Sequence, residues 1–398
     1  MSTPQPDVVR LQQLNDSALR AAAAGDYLTA KAVLAQILVE APSNPTIWLN
    51  YAAACRGAGD FDAALLAIDE VLKREPRSFM ALLSKGTLLE RKGQIKKAIA
   101  AYRAAVQLAP PPARLDESLR TAVIHARAVI EQYLEEYANY LNEAVGDFAE
   151  HGQSPEARRI RQFVDISLGR RPRYLQEPVE YFYPGLPSIE FWERDEFPWL
   201  PALESATNTI RDELLGILQE QFKDFRPYVN YPDTAPLDQW AELNRSHQWG
   251  ALHLFVYGER VEENCSRCPQ TVELIETFPL PRLPARSPAA MFSALQPRTK
   301  IPPHTGVSNT RLIVHLPLIV PAGCGFRVGN SVSDWKEGQA WVFDDTIEHE
   351  AWNDSEFPRT ILIFDIWNPR LSETERALLT RVVSAMDKFS GGPGEQGL

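Results

Sequence analysis

His304, His349 and Arg359 are the residues whose types and order point to chemistry. They lie in one stretch, from Phe292 to Pro369, that holds three of the chain's seven histidines. Imidazole nitrogen suits iron, copper, nickel and zinc. Two histidines on separate strands, with open positions beside them, meet what oxygen chemistry on ferrous iron requires. His304 follows a Pro-Pro turn, and Arg359 follows ten residues after His349. An arginine there can hold a carboxylate by two parallel charge-assisted hydrogen bonds. Together the three suggest an iron centre beside a dicarboxylate cosubstrate. The plainer alternative for each histidine is a surface or satisfied core residue, and for Arg359 an exposed ion-pair partner.

Strands must position these side chains. Short β-branched and aromatic runs recur at 252–258, 290–296, 311–320, 325–329, 339–345 and 359–367, with turn signals between them. Their number and spacing suit a jelly-roll barrel, which encloses a ligand cavity between two sheets. Alternation puts Arg311, Ile313 and His315 on one face, looking into the barrel mouth. On the last strand Arg359 shares its face with Ile361, Ile363 and Asp365. A helix from about 200 to 222 precedes the strands, and a last helix from about 372 to 388 follows them. The glycine-rich end, 389–398, is expected to be disordered.

Four motifs occur in order: His304-Thr305-Gly306, Asn309-x-Arg311-Leu312-x-x-His315, the run from Phe343 to Trp352, and Arg359. With YPGLP at Tyr183, they cover roughly half of the chain. This stretch resembles the aspartyl/asparaginyl β-hydroxylase family of 2-oxoglutarate-dependent oxygenases. The resemblance implies a double-stranded β-helix (jelly-roll) oxygenase domain with Fe(II) and 2-oxoglutarate as cofactors. It implies a dioxygenase that hydroxylates the β-carbon of Asp or Asn residues in a peptide or protein while 2-oxoglutarate becomes succinate. It makes His304 and His349 the metal ligands, and Arg359, supported by the Ser293 hydroxyl, the holder of the distal carboxylate. His315 matches a cosubstrate-contacting position, its alternative being a supporting hydrogen bonder. Trp249 matches a tryptophan of the family's pocket, with a core tryptophan as alternative. Arg311 contacts either substrate or cosubstrate.

Most such iron sites carry a carboxylate two residues after the first histidine. Gly306 stands there, as in the family, leaving two protein ligands; Asp344 and Asp345 are candidates for a third, although both read as structural. Animal members of the family tend to be basic where this chain has Ile313, which puts an acidic substrate in question. Two other readings stay open: a hydroxylase of a lipid or small metabolite, and a repeat-based binding protein with an inactive barrel.

The N-terminal third repeats. Pro42, Pro76 and Pro110, Gly25, Gly59 and Gly93, and Ala30, Ala64 and Ala98 each recur at a 34-residue period. That is the tetratricopeptide spacing, two helices per unit stacked into a solenoid. The alanines allow close helix approach, glycine follows the first helix, and proline closes the second. Three repeats run from about 11 to 110, within a domain spanning 1–112. An amphipathic stripe from Leu119 to Phe148 is read as the cap of the open end, and a shorter helix begins at Ser154-Pro155. These form a cap and linker, 113–175, before the catalytic domain at 176–388. Arginines 158, 159, 161, 170, 171 and 173 cluster in the linker and read as a solvated face or a bridge to acidic groups of the next domain, with recognition of an acidic substrate as the alternative. The concave groove of such repeats commonly holds extended peptides, so a peptide or protein substrate is the expected partner.

Composition bounds the rest. Of 398 residues, 44% are hydrophobic and 23% charged, which is globular. A net charge of −11 leaves no basic footprint for nucleic acid. No apolar run opens the chain and none approaches the roughly 20 residues of a spanning helix, so neither signal peptide nor membrane anchor is expected. Four cysteines fit a reducing cytoplasm. Cys265 and Cys268 form a lone C-x-x-C with no second ligand pair nearby, and read as ordinary loop thiols. Nothing in the sequence sets an oligomeric state.

Overall fold

Six helices realise the repeat in pairs: α1 (Val8–Ala23) with α2 (Tyr27–Glu40), α3 (Pro45–Gly57) with α4 (Phe61–Arg74), and α5 (Phe79–Arg91) with α6 (Ile95–Leu108). Ala30, Ala64 and Ala98 are fully buried where the helices of each pair meet. Gly25, Gly59 and Gly93 have φ of 83°, 80° and 69°, the left-handed turn that closes the first helix of a pair. Asp26 and Asp60 then cap the second helix, accepting from the backbone N–H of Thr29 and Ala63. Gly86 serves packing, because a Cβ there would strike the ring of Tyr102. The 29-residue α7 (Glu117–Val145) lays Leu119, Val123, Ala126 and Ile130 on the last repeat, as expected of a cap. Tyr137 and Tyr140, further along, are exposed.

This computed structural model describes residues 8–146, 154–218, 222–232 and 234–390. Phe148 and most of the tail expected to be disordered lie outside them. The chain divides into two units, Met1–Val164 and Asp165–Leu398, the division falling within α8 (Pro155–Ser167).

In the second unit the single helix expected at 200–222 is two, α9 (Leu200–Ser205) and α10 (Thr207–Leu218). The helix breaks at Ala206, where the hydroxyls of Ser205 and Thr207 donate to the carbonyls of Ala202 and Glu204. Two antiparallel sheets follow. The larger has the order β1 (Arg226–Pro227), β2 (Trp249–Val256), β4 (Ala290–Leu295), β11 (Arg359–Trp367), β6 (Arg311–Ile319), β9 (Trp341–Phe343), with β3 (Glu259–Arg260) on β2. The smaller runs β5 (Thr299–His304), β10 (His349–Asn353), β7 (Cys324–Val328), β8 (Ser331–Ser333). Strands β5, β8 and β10 carry no clear alternation and escape a sequence reading. The Pro-Pro expected as a turn before His304 is instead the end of β5. Among the described residues that strand pairs only with β10, and an edge strand tolerates residues without an N–H.

One face of the larger sheet, with Leu252, Phe292, Leu312, Val314, Leu362 and Phe364, packs against α10 and the short helices α11 (Glu262–Cys265) and α12 (Pro269–Ile275). Cys265 and Cys268 are buried in this core rather than in a loop. The opposite face carries Trp249, Ile313 and Phe343, which cluster with Ile301, Phe326 and Val328 of the smaller sheet. The functional side chains project between these two sheets. Helix α13 (Glu373–Ser390) ends the described chain, running two residues into the stretch expected to be disordered. Among the described residues no helix is long and apolar enough to cross a membrane.

Candidate active site

Strands β5 and β10 pair so that His304 and His349 are register partners, with ring centroids 4.1 Å apart. Each ring is turned by its own backbone. Nδ1 of His304 lies 2.8 Å from the Pro302 carbonyl oxygen, and Nδ1 of His349 lies 3.1 Å from that of Ile347. A ring nitrogen facing a carbonyl carries the proton, so Nε2 of each ring is a bare lone pair. Burial pushes the His304 pKa down; burial and the adjacent His304 ring push that of His349 well down. Both are therefore neutral, the form that binds a metal.

Arg359 opens β11 and is 2% exposed. Among the described residues it has neither an ion pair nor a hydrogen-bond acceptor; its Nε is buried without a partner. Desolvation lowers its pKa to about 10, which leaves it charged at neutral pH. Its guanidinium carbon lies 5.2 Å from the centroid of the Trp335 ring. On the adjacent strand β4, where its register partner is Ile361, Ser293 is fully buried and accepts a 3.1 Å hydrogen bond from the Trp249 indole, so its own hydrogen is free to donate. Trp249 is thus both a core residue, stacked 4.1 Å from Tyr228, and the group that orients Ser293. His315 is buried with Nδ1 unpartnered, stacked on Trp335, and held neutral by burial and by Arg359.

Arg311 differs from Arg359. Its guanidinium reaches Asp365 at 3.2 Å and Asp345 at 3.5 Å. Burial raises the Asp345 pKa to about 7, although Arg311 opposes it, and its Oδ1 has no partner. The Asp345 carboxylate fills the place where a Cβ at Gly306 would sit. A carboxylate ligand two residues after His304 is therefore blocked by the fold itself. Asp344 is structural, accepting from Thr346 and Gln176. Among the described residues no group of three or more His, Cys, Asp and Glu is placed to hold a metal.

His304, His315, His349, Trp249, Ser293, Arg311 and Arg359 all line one cavity of about 1250 Å3. The fold thus brings every predicted site residue together. Trp335 and Trp240 were not anticipated; Trp240 lies edge-on to His304 at 5.1 Å. Both sit on connecting segments where no periodicity marks a facing residue. Two neutral imidazoles with bare lone pairs, a cation lacking a counter-ion and a free hydroxyl form a donor set that fits a divalent metal beside a dicarboxylate.

The fold is a two-sheet β domain with its cavity between the sheets, following helical repeats in the chain. Residues 204–369 match the family profile of aspartyl/asparaginyl β-hydroxylase, and 15–68 and 56–111 match the tetratricopeptide repeat. The chain carries a domain of the aspartyl/asparaginyl β-hydroxylase family preceded by tetratricopeptide repeats. It is 32% identical over 202 residues to the human aspartyl/asparaginyl β-hydroxylase, covering 50% of this chain and 25% of that protein. It is 31% identical over 198 residues to the ornithine lipid ester-linked acyl 2-hydroxylase of Rhizobium tropici, covering 48% and 66%. The match thus spans a quarter of the human relative's length and just under two thirds of the bacterial one. Among solved structures, the Sgt2 TPR domain of Aspergillus fumigatus aligns at 21% identity with a TM-score of 0.28, covering 33% of this chain and 83% of that one.

Proposed function

We propose that the second unit is a hydroxylase dependent on Fe(II) and 2-oxoglutarate. The observation that carries this reading is Arg359: a buried guanidinium without a counter-ion, lining the same cavity as two neutral histidines with bare Nε2 atoms. An uncompensated buried charge is strongly unfavourable unless a ligand completes it. In the proposal His304 and His349 hold the metal through Nε2. Arg359 and the Ser293 hydroxyl receive the distal carboxylate of 2-oxoglutarate, and neutral His315 supports it. Bound iron with 2-oxoglutarate and oxygen supplies the oxidant for an unactivated carbon. Asp345 fills the space a side chain at position 306 would need, so the protein would supply the metal with two histidine ligands. The apolar walls Ile313, Phe326 and Phe343 keep bulk water from the centre.

The finer reading of the fold, a double-stranded β-helix, belongs to this proposal and is supported by two facing antiparallel sheets. So do a peptide or protein partner for the repeats and a cytoplasmic location, the latter supported by four unpaired cysteines. The relatives' names make the β-carbon of a peptidyl Asp or Asn the first substrate class to consider. A second, the acyl chain of a lipid, is named by the bacterial relative. The test is succinate formation from 2-oxoglutarate by the purified full chain. The proposal expects turnover that needs Fe(II) and is lost in His349→Ala. Absence of both iron-dependent turnover and 2-oxoglutarate binding overturns it in favour of a repeat scaffold with an inactive domain.

A further inference from the structure

We infer that Trp335 is a positioning residue for the cosubstrate: its indole holds Arg359 and His315 ready for the distal carboxylate of 2-oxoglutarate without occupying their polar atoms. This rests on the reaction proposed above and adds a residue that lies outside all four sequence motifs.

The first argument is how each cation of the cavity is answered. Arg286, Arg311 and Arg359 all line it. Arg286 is paired with both oxygens of Asp387, at 2.6 and 2.8 Å, and Arg311 reaches Asp365 and Asp345. Among the described residues Arg359 has no such carboxylate; its guanidinium lies over the Trp335 ring instead. The two arrangements differ in what they leave for a ligand. A carboxylate occupies guanidinium N–H groups with its oxygens. A π face attracts the charge but offers no acceptor oxygen, so the donors of the guanidinium stay available. A buried cation needs compensation before its ligand arrives, and an indole supplies some of it without filling the ligand's place.

The second argument is that one ring serves two groups. His315 stacks on the same indole, with ring centroids 6.1 Å apart and an interplanar angle of 10°. Strand register does not bring His315 and Arg359 together, because His315 pairs with Ile363, four residues along β11 from Arg359. The indole is where both side chains meet. Its own place is fixed by the rings of Trp341 and Phe326, with centroids 4.4 and 5.9 Å away. The connection that carries it, between β8 and β9, is pinned around the end of β6. There the Gly338 N–H donates to the Pro317 carbonyl, and Glu337 accepts from the Val320 N–H. Arg359 and His315 line the cavity and Trp335 does not, so it acts through them. Groups fixed before binding lose less freedom when the ligand arrives, which raises affinity.

The experiment measures 2-oxoglutarate affinity of the full chain by anaerobic calorimetry with Fe(II), in wild type, Trp335→Phe and Trp335→Met. Both variants shorten the side chain, and only phenylalanine keeps a ring face. Trp335→Met is expected to weaken 2-oxoglutarate binding about tenfold or more, and Trp335→Phe about threefold or less. Mn(II) affinity without 2-oxoglutarate, read by electron paramagnetic resonance, should be unchanged in both, because Trp335 acts on the carboxylate receptor and not on the histidine pair. Wild-type affinity in Trp335→Met, equal losses in the two variants, or a parallel loss of Mn(II) affinity overturns this inference and leaves the hydroxylase reading standing. Should Trp335→Met lack the cooperative urea transition of the wild type, tryptophan emission decides. 2-Oxoglutarate should then shift the emission of the wild type and shift that of Trp335→Phe less; a shift that Trp335→Phe keeps in full overturns the inference. Failure of the wild-type chain to bind 2-oxoglutarate overturns both.

Discussion

Replacing Arg359 by Met separates a structural arginine from a receptor. The drop from 12.5 to about 10 in the Arg359 pKa, at about 1.4 kcal/mol per pKa unit, puts the burial penalty at about 3 kcal/mol. No carboxylate among the described residues offsets it. Methionine keeps much of the apolar stem and removes the charge, so the ligand-free protein should be unchanged or up to about 3 kcal/mol more stable. Ligand binding should move the opposite way. Loss of a buried charge-assisted pair costs about 2–5 kcal/mol, or about 30-fold to 4,000-fold in 2-oxoglutarate affinity. The stabilisation of about 2.7 kcal/mol expected at 100 times the wild-type Kd would fall to about 0.9 kcal/mol or less at the same ligand concentration. All tryptophans except Trp48 lie in the second unit, so urea unfolding followed by tryptophan fluorescence reports that unit. The two readouts are that transition, with and without 2-oxoglutarate, and calorimetric affinity. A variant that loses more than about 2 kcal/mol without ligand, yet binds 2-oxoglutarate as wild type does, refutes the reasoning.

Other outcomes follow from particular contacts. Gly306→Ala should destabilise the second unit by about 1–3 kcal/mol, because its methyl overlaps the Asp345 carboxylate that Arg311 holds; an unchanged urea midpoint contradicts this. Gly86→Ala should destabilise the repeats by a similar amount through the Tyr102 ring, measured by far-ultraviolet circular dichroism, with the tryptophan transition of the second unit unmoved. His315 has a folded-state pKa well below the ordinary value of 6.5. Below that pH the unfolded chain binds a proton that the folded chain refuses, so stability is lost as pH falls through the unfolded value. His315→Gln should therefore flatten the decline in stability below pH 6.5 by up to about 1.4 kcal/mol per pH unit, read from urea unfolding at several pH values. An identical slope in both proteins contradicts the assignment.

The repeats were legible in detail because their period is written in glycine, proline and alanine, the residues with the sharpest backbone preferences. The inward face of β6 was equally readable, since Arg311, Ile313 and His315 alternate cleanly with Leu312, Val314 and Leu316. Strand β5 was hidden by Pro302 and Pro303, which signal a turn unless the strand is known to lie at an edge. The break between α9 and α10 depends on hydroxyl-to-carbonyl bonds that leave the apolar period intact. Trp335 is the instructive omission: its place beneath Arg359 is set by the connection between β8 and β9, and no local pattern reports a contact across two elements. The same holds for the pairing of Arg311 with Asp345 and Asp365. In sequence Arg311 is a free cation; in the fold its charge is answered.

The central question is whether the histidine pair and Arg359 form one receptor. Anaerobic calorimetric titration of 2-oxoglutarate into the full chain, with and without Fe(II), tests this most directly. The prediction is a single site whose affinity depends on the metal and is lost in His349→Ala. Binding of equal strength without metal, or binding that His349→Ala leaves intact, would contradict it.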